Sequence, residues 1–233
     1  MKVTYIHHSA FLVELTGHTL LFDYTEGDLP PIPKDKPLVV FASHFHADHF
    51  SAKIYDLEKT QETVYVLSHE IGKRRRAMRD VTSPIHLVYA NETYDICGLK
   101  VTTLQSTDAG VAFWVEDGKA AIYHAGDLNH WYWAEESESW NKQMAGDYRA
   151  QMAKLKGKTA DVAFMPVDPR LGEDGYALGA EGYFAFANAK AFFPMHFWGD
   201  FQVCRRLKES EPFGACVMEL EADGQVFDLP EDE

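Results

Sequence analysis

The chain has 233 residues, of which 46% are hydrophobic and 25% are charged, a composition typical of a globular protein with a substantial core. Its formal net charge of −14 disfavours nucleic acid and anionic membranes as partners, and the one basic cluster, residues 73–76, is too short to outweigh it. We therefore expect a small-molecule ligand. Because no composition break or internal repeat marks a boundary, we predict a single domain over residues 1–233.

The cysteines and the apolar runs bear on the cellular compartment. Cys97, Cys204 and Cys216 lie far apart and form no paired motif, which favours a reducing environment. The opening "MKVTYIHHS" does not have the apolar stretch of a signal peptide, and no apolar run approaches the ~20 residues that cross a bilayer. We expect a cytoplasmic protein.

The first half of the chain is rich in strand signals, which are short apolar or alternating stretches between polar and glycine-containing breaks. The predicted strands are, in chain order, "KVTYI", "AFLVEL", "HTLLFDY", "LVVFAS", "TVYVLS", "PIHLVYA", "ETYDI", "LKVTTLQS", "GVAFWVED" and "KAAIYHAGD". The run "LVVFAS" is apolar nearly throughout, as is typical of a strand buried on both faces. Helices are predicted on either side of "TVYVLS", in "AKIYDLEKT" and "EIGKRRRAM".

The second half alternates helices and strands. The predicted helices are "NKQMAGDYRAQMAKLKG" with Gly157 as its C-cap, "GAEGYFAFANAKA" and "FQVCRRLKE". The predicted strands are "DVAFMPVD", "FFPMHFW" and a closing hairpin around "DG" in "ACVMELEADGQVFDL". About a dozen strands fit two sheets better than one open sheet. We predict an α/β (α+β) fold of two β-sheets with helices on the outside.

The stretch "SHFHADHF" follows the buried strand and contains His44, His46, Asp48 and His49. Histidine and aspartate are costly to bury unless something pairs with them. Side chains two apart in an extended segment point the same way, so His44 and His46 can converge, while Asp48 and His49 can face a second point after the turn. Imidazole and carboxylate suit zinc, manganese and iron. The motif therefore predicts a metal site.

Two later residues also follow predicted strands, Asp127 in "YHAGDLNHW" and His196 in "FPMHFWGD". Taken alone, such an aspartate is more often a turn residue, and such a histidine is more often a hydrogen-bonded one. Both become candidate ligands because the cluster at residues 44–49 requires partners from elsewhere in the chain. A carboxylate in a Gly-Asp turn is also well placed to bridge two ions.

The H-x-H-x-D-H motif, the downstream "GD" and the late strand-end histidine resemble the metallo-β-lactamase superfamily of hydrolases. The likeness runs from "HHSAFLVE" to "PMHFWGD", and the opening is similar to that of lactonase-like and phosphodiesterase-like members. The resemblance implies a four-layer αββα sandwich with one or two divalent metal ions, most often zinc, with manganese or iron in some members. By position it implies His44 and His46 at a first ion, Asp48, His49 and His196 at a second, and Asp127 between them.

The chain departs from the family at one ligand of the first ion. The family usually has a histidine before the strand that precedes the "GD" hairpin, where this chain reads "LQSTDAGVAFWVE", with no histidine near Thr107. Asp108, His124 and His130 are the candidates to replace it. If only one ion binds tightly, we expect it on the Asp48 side.

The expected reaction is hydrolysis of a small-molecule ester, lactone or phosphoester. A bound ion can lower the pKa of water from about 15.7 to about 7, and the resemblance implies that Asp48 orients or deprotonates this water. His8 and Asp168 are expected to face the substrate. Arg170 could fork onto a substrate carboxylate or phosphate, or pair with Asp168 in a turn, and Trp198 could line a pocket wall.

Three other functions use the same motif. A nuclease is disfavoured by the net charge of −14 and by the lack of a basic groove. A redox di-iron relative would typically carry a carboxylate in place of His46. A sensor or binding protein that has lost its chemistry would explain the missing histidine near Thr107, but it would not require Asp48.

Overall fold

Two β-sheets form the centre of the molecule in the computed structural model, which describes residues 1–74 and 78–230. The strands are β1 (Lys2–His7), β2 (Ala10–Glu14), β3 (Thr19–Phe22), β4 (Leu38–Ala42), β5 (Thr63–Ser68), β6 (Ile85–Val88), β7 (Thr93–Ile96), β8 (Leu99–Gln105), β9 (Val111–Glu116), β10 (Ala121–His124), β11 (Thr159–Pro166), β12 (Asn188–Met195) and β13 (Val226–Asp228). The α-helices are α1 (Glu138–Met152), α2 (Leu178–Phe184) and α3 (Gln202–Ser210). Short 3₁₀-helices cover Ala52–Lys59, His69–Arg74, Ala153–Leu155, Pro169–Leu171 and Gly214–Cys216.

Both sheets are mixed. The first has the strand order β13-β1-β2-β3-β4-β5-β6, and the second has the order β12-β11-β10-β9-β8-β7. Strands β3 to β6 run parallel, as do β10 to β12, whereas the other neighbours are antiparallel. This architecture of two mixed sheets flanked by helices confirms the predicted αββα sandwich.

Aromatic side chains fill the space between the two sheets. Phe11 on β2 meets Phe164 on β11 with ring centroids 4.2 Å apart, and Phe41 on β4 meets Phe113 on β9 at 5.2 Å. A second apolar cluster lies on the other face of the first sheet and includes Ile54 and residues of β4 and β5. Strand β4 is buried on both faces for this reason, which explains its unbroken apolar sequence.

The predicted helix "GAEGYFAFANAKA" is wrong in its second half. Helix α2 ends at Phe184, and β12 begins at Asn188. Residues 188–195 pair in parallel with β11 over its whole length, and this long-range pairing overrides the helical preference of the alanines. Helix α1 also ends earlier than predicted, with Ala153 as its C-cap, so Gly157 follows the 3₁₀ turn beyond it.

The predicted closing hairpin around "DG" is also wrong. Residues 226–228 pair with β1 at the edge of the first sheet, and the preceding stretch forms no partner strand for them. It contributes instead an isolated bridge from Val217 to Phe192. Strand β1 pairs with β2 along one edge only, so residues 226–228 pair along its other edge instead of across a local turn.

The basic cluster at residues 73–76 is described only in part. Lys73 and the backbone of Arg74 belong to a 3₁₀-helix, whereas Arg75 and Arg76 lie outside the described residues. Within residues 1–74 and 78–230, we find no helix with the length and apolar character needed to cross a membrane.

The contacts of Phe164 predict a large loss of stability on truncation. Its ring packs against Phe11, Phe22 and Phe193 between the sheets. Phe164→Ala should lower the free energy of unfolding by about 3–5 kcal/mol, because it leaves a cavity in the core. Leu87→Ala is the control, since Leu87 is 40% exposed, and it should cost less than about 1 kcal/mol. Urea unfolding measures both, and equal losses would contradict this account of the core.

Candidate metal centre

The candidate ligands come together at one edge of the sandwich, where several strands end. Residues 43–50 follow β4, Asp127 lies just beyond β10, and His196 directly follows β12. Because β4 belongs to the first sheet and the other two strands to the second, the ligands approach from both layers. The β8–β9 turn and the β1–β2 turn complete the same edge, bringing in Asp108 and His8.

One group of ligand-type side chains forms around His44. One ligand atom of each member lies within 4.8 Å of the others, and the members are His44, His46, Asp108 and Asp127. His44 Nε2 lies 3.4 Å from Asp127 Oδ2, and His46 Nδ1 lies 3.7 Å from Asp108 Oδ2. The structure therefore brings Asp108 to the place where the sequence lacked a histidine.

The other two candidates for that place lie elsewhere. His124 has both ring nitrogens committed, one to the carbonyl of Ser9 at 3.0 Å and one accepting from the backbone N–H of Gly126 at 3.2 Å. His130 stacks on Tyr148. Thr107, beside Asp108, donates its hydroxyl to the carbonyl of Asn129 at 2.7 Å and so ties the β8–β9 turn to the segment after Asp127.

A second group forms around His49, and its members are His8, Asp48, His49 and His196. His49 Nε2 lies 3.2 Å from Asp127 Oδ1, and His196 Nε2 lies 3.6 Å from the same atom. The Asp127 carboxylate thus faces this group with one oxygen and His44 with the other. His8 was expected at the substrate, but it is buried within this group, with its Nε2 3.5 Å from Asp48 Oδ2.

Two buried carboxylates orient the histidines of the second group. Asp23 accepts from His49 Nδ1 at 2.7 Å, and Asp168 accepts from His196 Nδ1 at 3.0 Å. In both histidines, the bond through Nδ1 leaves Nε2 pointing toward the centre, as is common for histidines that bind metals. Asp23 also accepts from the backbone N–H and the hydroxyl of Ser43. Asp23 was not among the residues predicted from the sequence, although its position directly after the apolar strand "TLLF" was a usable signal.

The prediction that Asp168 contacts substrate does not fit this geometry. Its side chain is fully buried and accepts hydrogen bonds from His196, Arg170 and the indole N–H of Trp198. Burial would raise the pKa of Asp168, but His196 and Arg170 hold it at about 2. Asp168 therefore lies behind His196 as an ionised support. Arg170 and Trp198, in contrast, do line the cavity over the centre.

The charges of the centre favour a bound cation. Burial lowers the pKa of His44 to about 4, so its imidazole is neutral and able to coordinate. Burial would also lower the pKa of His49, but Asp127 and Asp23 outweigh it and raise the pKa well above its usual value. The nearby imidazole of His8 lowers the pKa of Asp48. Ionised carboxylates therefore draw positive charge to this point.

Three buried polar atoms in the centre have no hydrogen-bond partner within the described part of the chain, namely His8 Nε2, His49 Nε2 and Asp127 Oδ1. His49 Nε2 and Asp127 Oδ1 are 3.2 Å apart, but the two groups are not aligned for a hydrogen bond. Leaving such atoms unpaired costs about 1–3 kcal/mol each. Imidazole nitrogens and carboxylate oxygens that converge in this way fit a divalent metal ion.

The backbone around the centre is held in uncommon conformations. His8, Asp23, His196 and Trp198 have φ angles of 51°, 43°, 61° and 53°, in the left-handed region that non-glycine residues rarely adopt. Such strain persists only where the surrounding structure enforces it, and it is frequent at functional sites. Here it turns the chain sharply at the ends of β1, β3 and β12.

A cavity of about 430 Å³ opens over the centre, a size that suits a small molecule. Its lining residues are His46, Asp48, Thr107, Asp108, Asp127, Trp131, Trp133, Trp140, Met144, Arg170, His196 and Trp198. The centre contributes most of the polar lining, and much of the remaining lining is aromatic.

Comparison with known proteins agrees with this fold. Residues 2–142 match the family described as the beta-lactamase superfamily domain, and the chain belongs to that superfamily, as the motif predicted. A UPF0173 metal-dependent hydrolase of Desulforamulus reducens is 30% identical over 145 residues, which cover 54% of this chain and 62% of the relative. The matched region therefore spans less than two thirds of that relative's length.

Solved structures share the fold at low identity. Igni18, a metallo hydrolase from the archaeon Ignicoccus hospitalis, superposes with a TM-score of 0.66 at 18% identity, covering 98% of this chain and 99% of that one. CmlA, a diiron β-hydroxylase from Streptomyces venezuelae, superposes with a TM-score of 0.53 at 14% identity, covering 95% of this chain and 47% of that one. At such identities the likeness is one of fold alone.

The β8–β9 turn yields a test of how tightly the centre is built. Gly110 has φ +68°, and a Cβ there would lie 2.0 Å from the carbonyl oxygen of Ser43. Gly118 also has positive φ, +91°, but a Cβ there meets nothing within 4 Å. Gly118→Ala should lower the free energy of unfolding by about 1 kcal/mol, and Gly110→Ala by about 1–3 kcal/mol more. Urea unfolding measures the difference; equal losses would mean that this close approach does not matter.

Proposed function

We propose that this protein is a metal-dependent hydrolase that attacks a small-molecule ester, lactone or phosphoester. The observation that carries the proposal is the convergence of two groups of nitrogen and oxygen atoms on the single carboxylate of Asp127, with buried atoms lacking any other partner. A chain has no structural need for eight such side chains at one edge, five of them buried, because a buried one is costly unless it is paired.

The proposed ligands follow the two groups. One ion would be held by His44, His46 and Asp108 and the other by Asp48, His49 and His196, with the Asp127 carboxylate available to both. These assignments are drawn from the side chains that face each other. Among the described residues neither group includes a cysteine, so zinc is our first choice, and manganese and iron also suit this donor set. His8 belongs to the second group and would offer a further nitrogen donor there.

The chain's own residues would divide the work of hydrolysis. When bound, the ions supply Lewis acidity toward the substrate oxygen and a lowered pKa for water. Asp48 is ionised and lines the cavity, so its carboxylate takes the proton of the attacking water. Asp23 and Asp168 keep His49 and His196 in the tautomer that presents Nε2.

The size and charge of the cavity favour a small substrate. A volume of about 430 Å³ accommodates a drug-sized molecule, whereas a nucleic acid would meet a protein with a formal net charge of −14. We also propose a reducing, cytoplasmic location, since Cys97, Cys204 and Cys216 are all free thiols.

Metal content tests the ligand assignment. Plasma mass spectrometry should find about two ions per chain, as expected for two complete ligand sets. His44→Ala, Asp108→Asn and His196→Ala should each lose about one, while the exposed His86→Ala should lose none. A single ion that is lost only with His196→Ala would mean that Asp108 does not complete the first site. Absence of metal after reconstitution would contradict the proposal.

Asp48→Asn tests the chemistry. It should lower kcat by about 10²–10⁴, the usual contribution of a general base, on whichever member of a panel of lactones, carboxylic esters and phosphodiesters the wild type hydrolyses. Asp56→Asn is the control, since Asp56 is exposed on the 3₁₀-helix after the motif, and it should leave kcat unchanged. Metal-loaded wild type that hydrolyses nothing on the panel would favour the binding or sensor alternative.

A further inference from the structure

The part of the cavity wall that contributes no candidate metal ligand has a distinct chemical character. It is formed by Trp131, Trp133, Trp140 and Met144, and Arg170 lies beside Trp198 at its border. In the described part of the chain, Arg170 is the one arginine or lysine among the lining residues. The proposed hydrolytic machinery uses none of these side chains, so their arrangement calls for a separate explanation.

Arg170 is held in a fixed position with part of its guanidinium free. Its Nε lies 2.9 Å from both oxygens of Asp168, and its Nη2 lies 2.5 Å from Oδ2. The guanidinium carbon lies 4.5 Å from the ring centre of Trp198 and 5.9 Å from that of Trp133. The side chain is 48% exposed, and Nη1 has no hydrogen-bond partner in the described part of the chain.

Asp168 engages only one side of the guanidinium, through Nε and Nη2, and leaves Nη1 to a ligand. The same carboxylate also accepts from His196 Nδ1 at 3.0 Å and from the indole N–H of Trp198 at 3.3 Å, so it is held in place by several donors and fixes the guanidinium in turn. A planar guanidinium that is preorganised in this way suits an oxyanion, because its remaining N–H groups are already aligned.

The aromatic part of the wall is equally well fixed. Trp131 and Trp133 lie nearly parallel, with 7° between their planes, and the indole N–H of Trp131 donates to the carbonyl of Asp127 at 3.1 Å. Asn141 on α1 makes two hydrogen bonds to the backbone of Trp133, of 3.1 and 2.8 Å. Trp140, on the same helix, is a residue that is 36% exposed. A rigid, partly uncovered aromatic surface of this kind suits a flat apolar group.

We propose that the substrate is an anion with a flat apolar body, whose carboxylate, sulfonate or phosphate binds Arg170 while its body packs on Trp133 and Trp140. This inference rests on the hydrolase function proposed above and names its substrate class. Arg170 and His196 both bind Oδ2 of Asp168, so the anion site and the metal centre are separated by one carboxylate. A substrate of modest length therefore reaches both.

Calorimetric titration of the metal-loaded protein tests the proposal with two matched probes. Naphthalene-2-sulfonate carries the charge and is a weak ligand of divalent ions, and methyl 2-naphthyl sulfone is its neutral counterpart. Arg170→Gln should weaken sulfonate binding at least about tenfold, the scale of one charge-assisted hydrogen bond, and sulfone binding far less. Trp140→Ala should weaken both equally, and Arg205→Gln, an exposed arginine on α3, should change neither.

Two results would overturn the proposal. If Arg170→Gln keeps its metal but leaves sulfonate affinity unchanged, or weakens both probes equally, Arg170 only supports Asp168. If Arg170→Gln loses metal, Arg170→Lys is measured instead. Its ratio of sulfonate to sulfone affinity should fall, because lysine lacks the planar fork. An unchanged ratio would contradict the proposal. Calorimetry needs no turnover, so a protein that binds as expected but hydrolyses nothing refutes the proposed function alone.

Discussion

The carboxylate of Asp127 lies where the two groups of ligand-type side chains meet, and the surrounding structure is arranged to make its burial tolerable. An isolated buried carboxylate would be very costly. Here one oxygen faces His44 at 3.4 Å, and the other faces His49 and His196 at 3.2 and 3.6 Å. Two of these imidazoles are in turn fixed by buried carboxylates. The centre is therefore a chain of alternating carboxylates and imidazoles, in which each position depends on its neighbour.

This dependence links the core to the chemistry. His49 follows a strand of the first sheet, whereas Asp127 and His196 follow strands of the second, so the distances between them are set by how the sheets pack. The aromatic contacts between the sheets, such as Phe41 against Phe113, fix that spacing. A close-packed interior transmits small displacements, and the same interface therefore determines both the stability of the fold and the geometry of the centre.

Sequence reasoning succeeded where the signal was local. The strand "LVVFA" and the ligands at residues 44–49 are read from a dozen consecutive letters, and the family likeness supplied the sandwich. Sequence reasoning failed where the pairing partner of a strand or side chain is distant in the chain. The start of β12 is decided by pairing with β11, and β13 by pairing with β1. Asp23 contacts a histidine 26 positions away, and its place after an apolar strand does not identify that partner. Asp108, 62 positions from His46, could be named only as one of three candidates.

The shared carboxylate of Asp168 has an evolutionary consequence. Its Oδ2 binds a candidate metal ligand, His196, and a residue of the cavity wall, Arg170. A mutation that altered the wall to admit a new compound would disturb the ring behind it, so adaptation on this side would require paired changes. Trp133, before α1, and Trp140, in its first turn, make no hydrogen bond to Asp168 in the described part of the chain. Divergence among relatives of this chain should therefore accumulate on the helical side of the cavity and spare the Asp168 side.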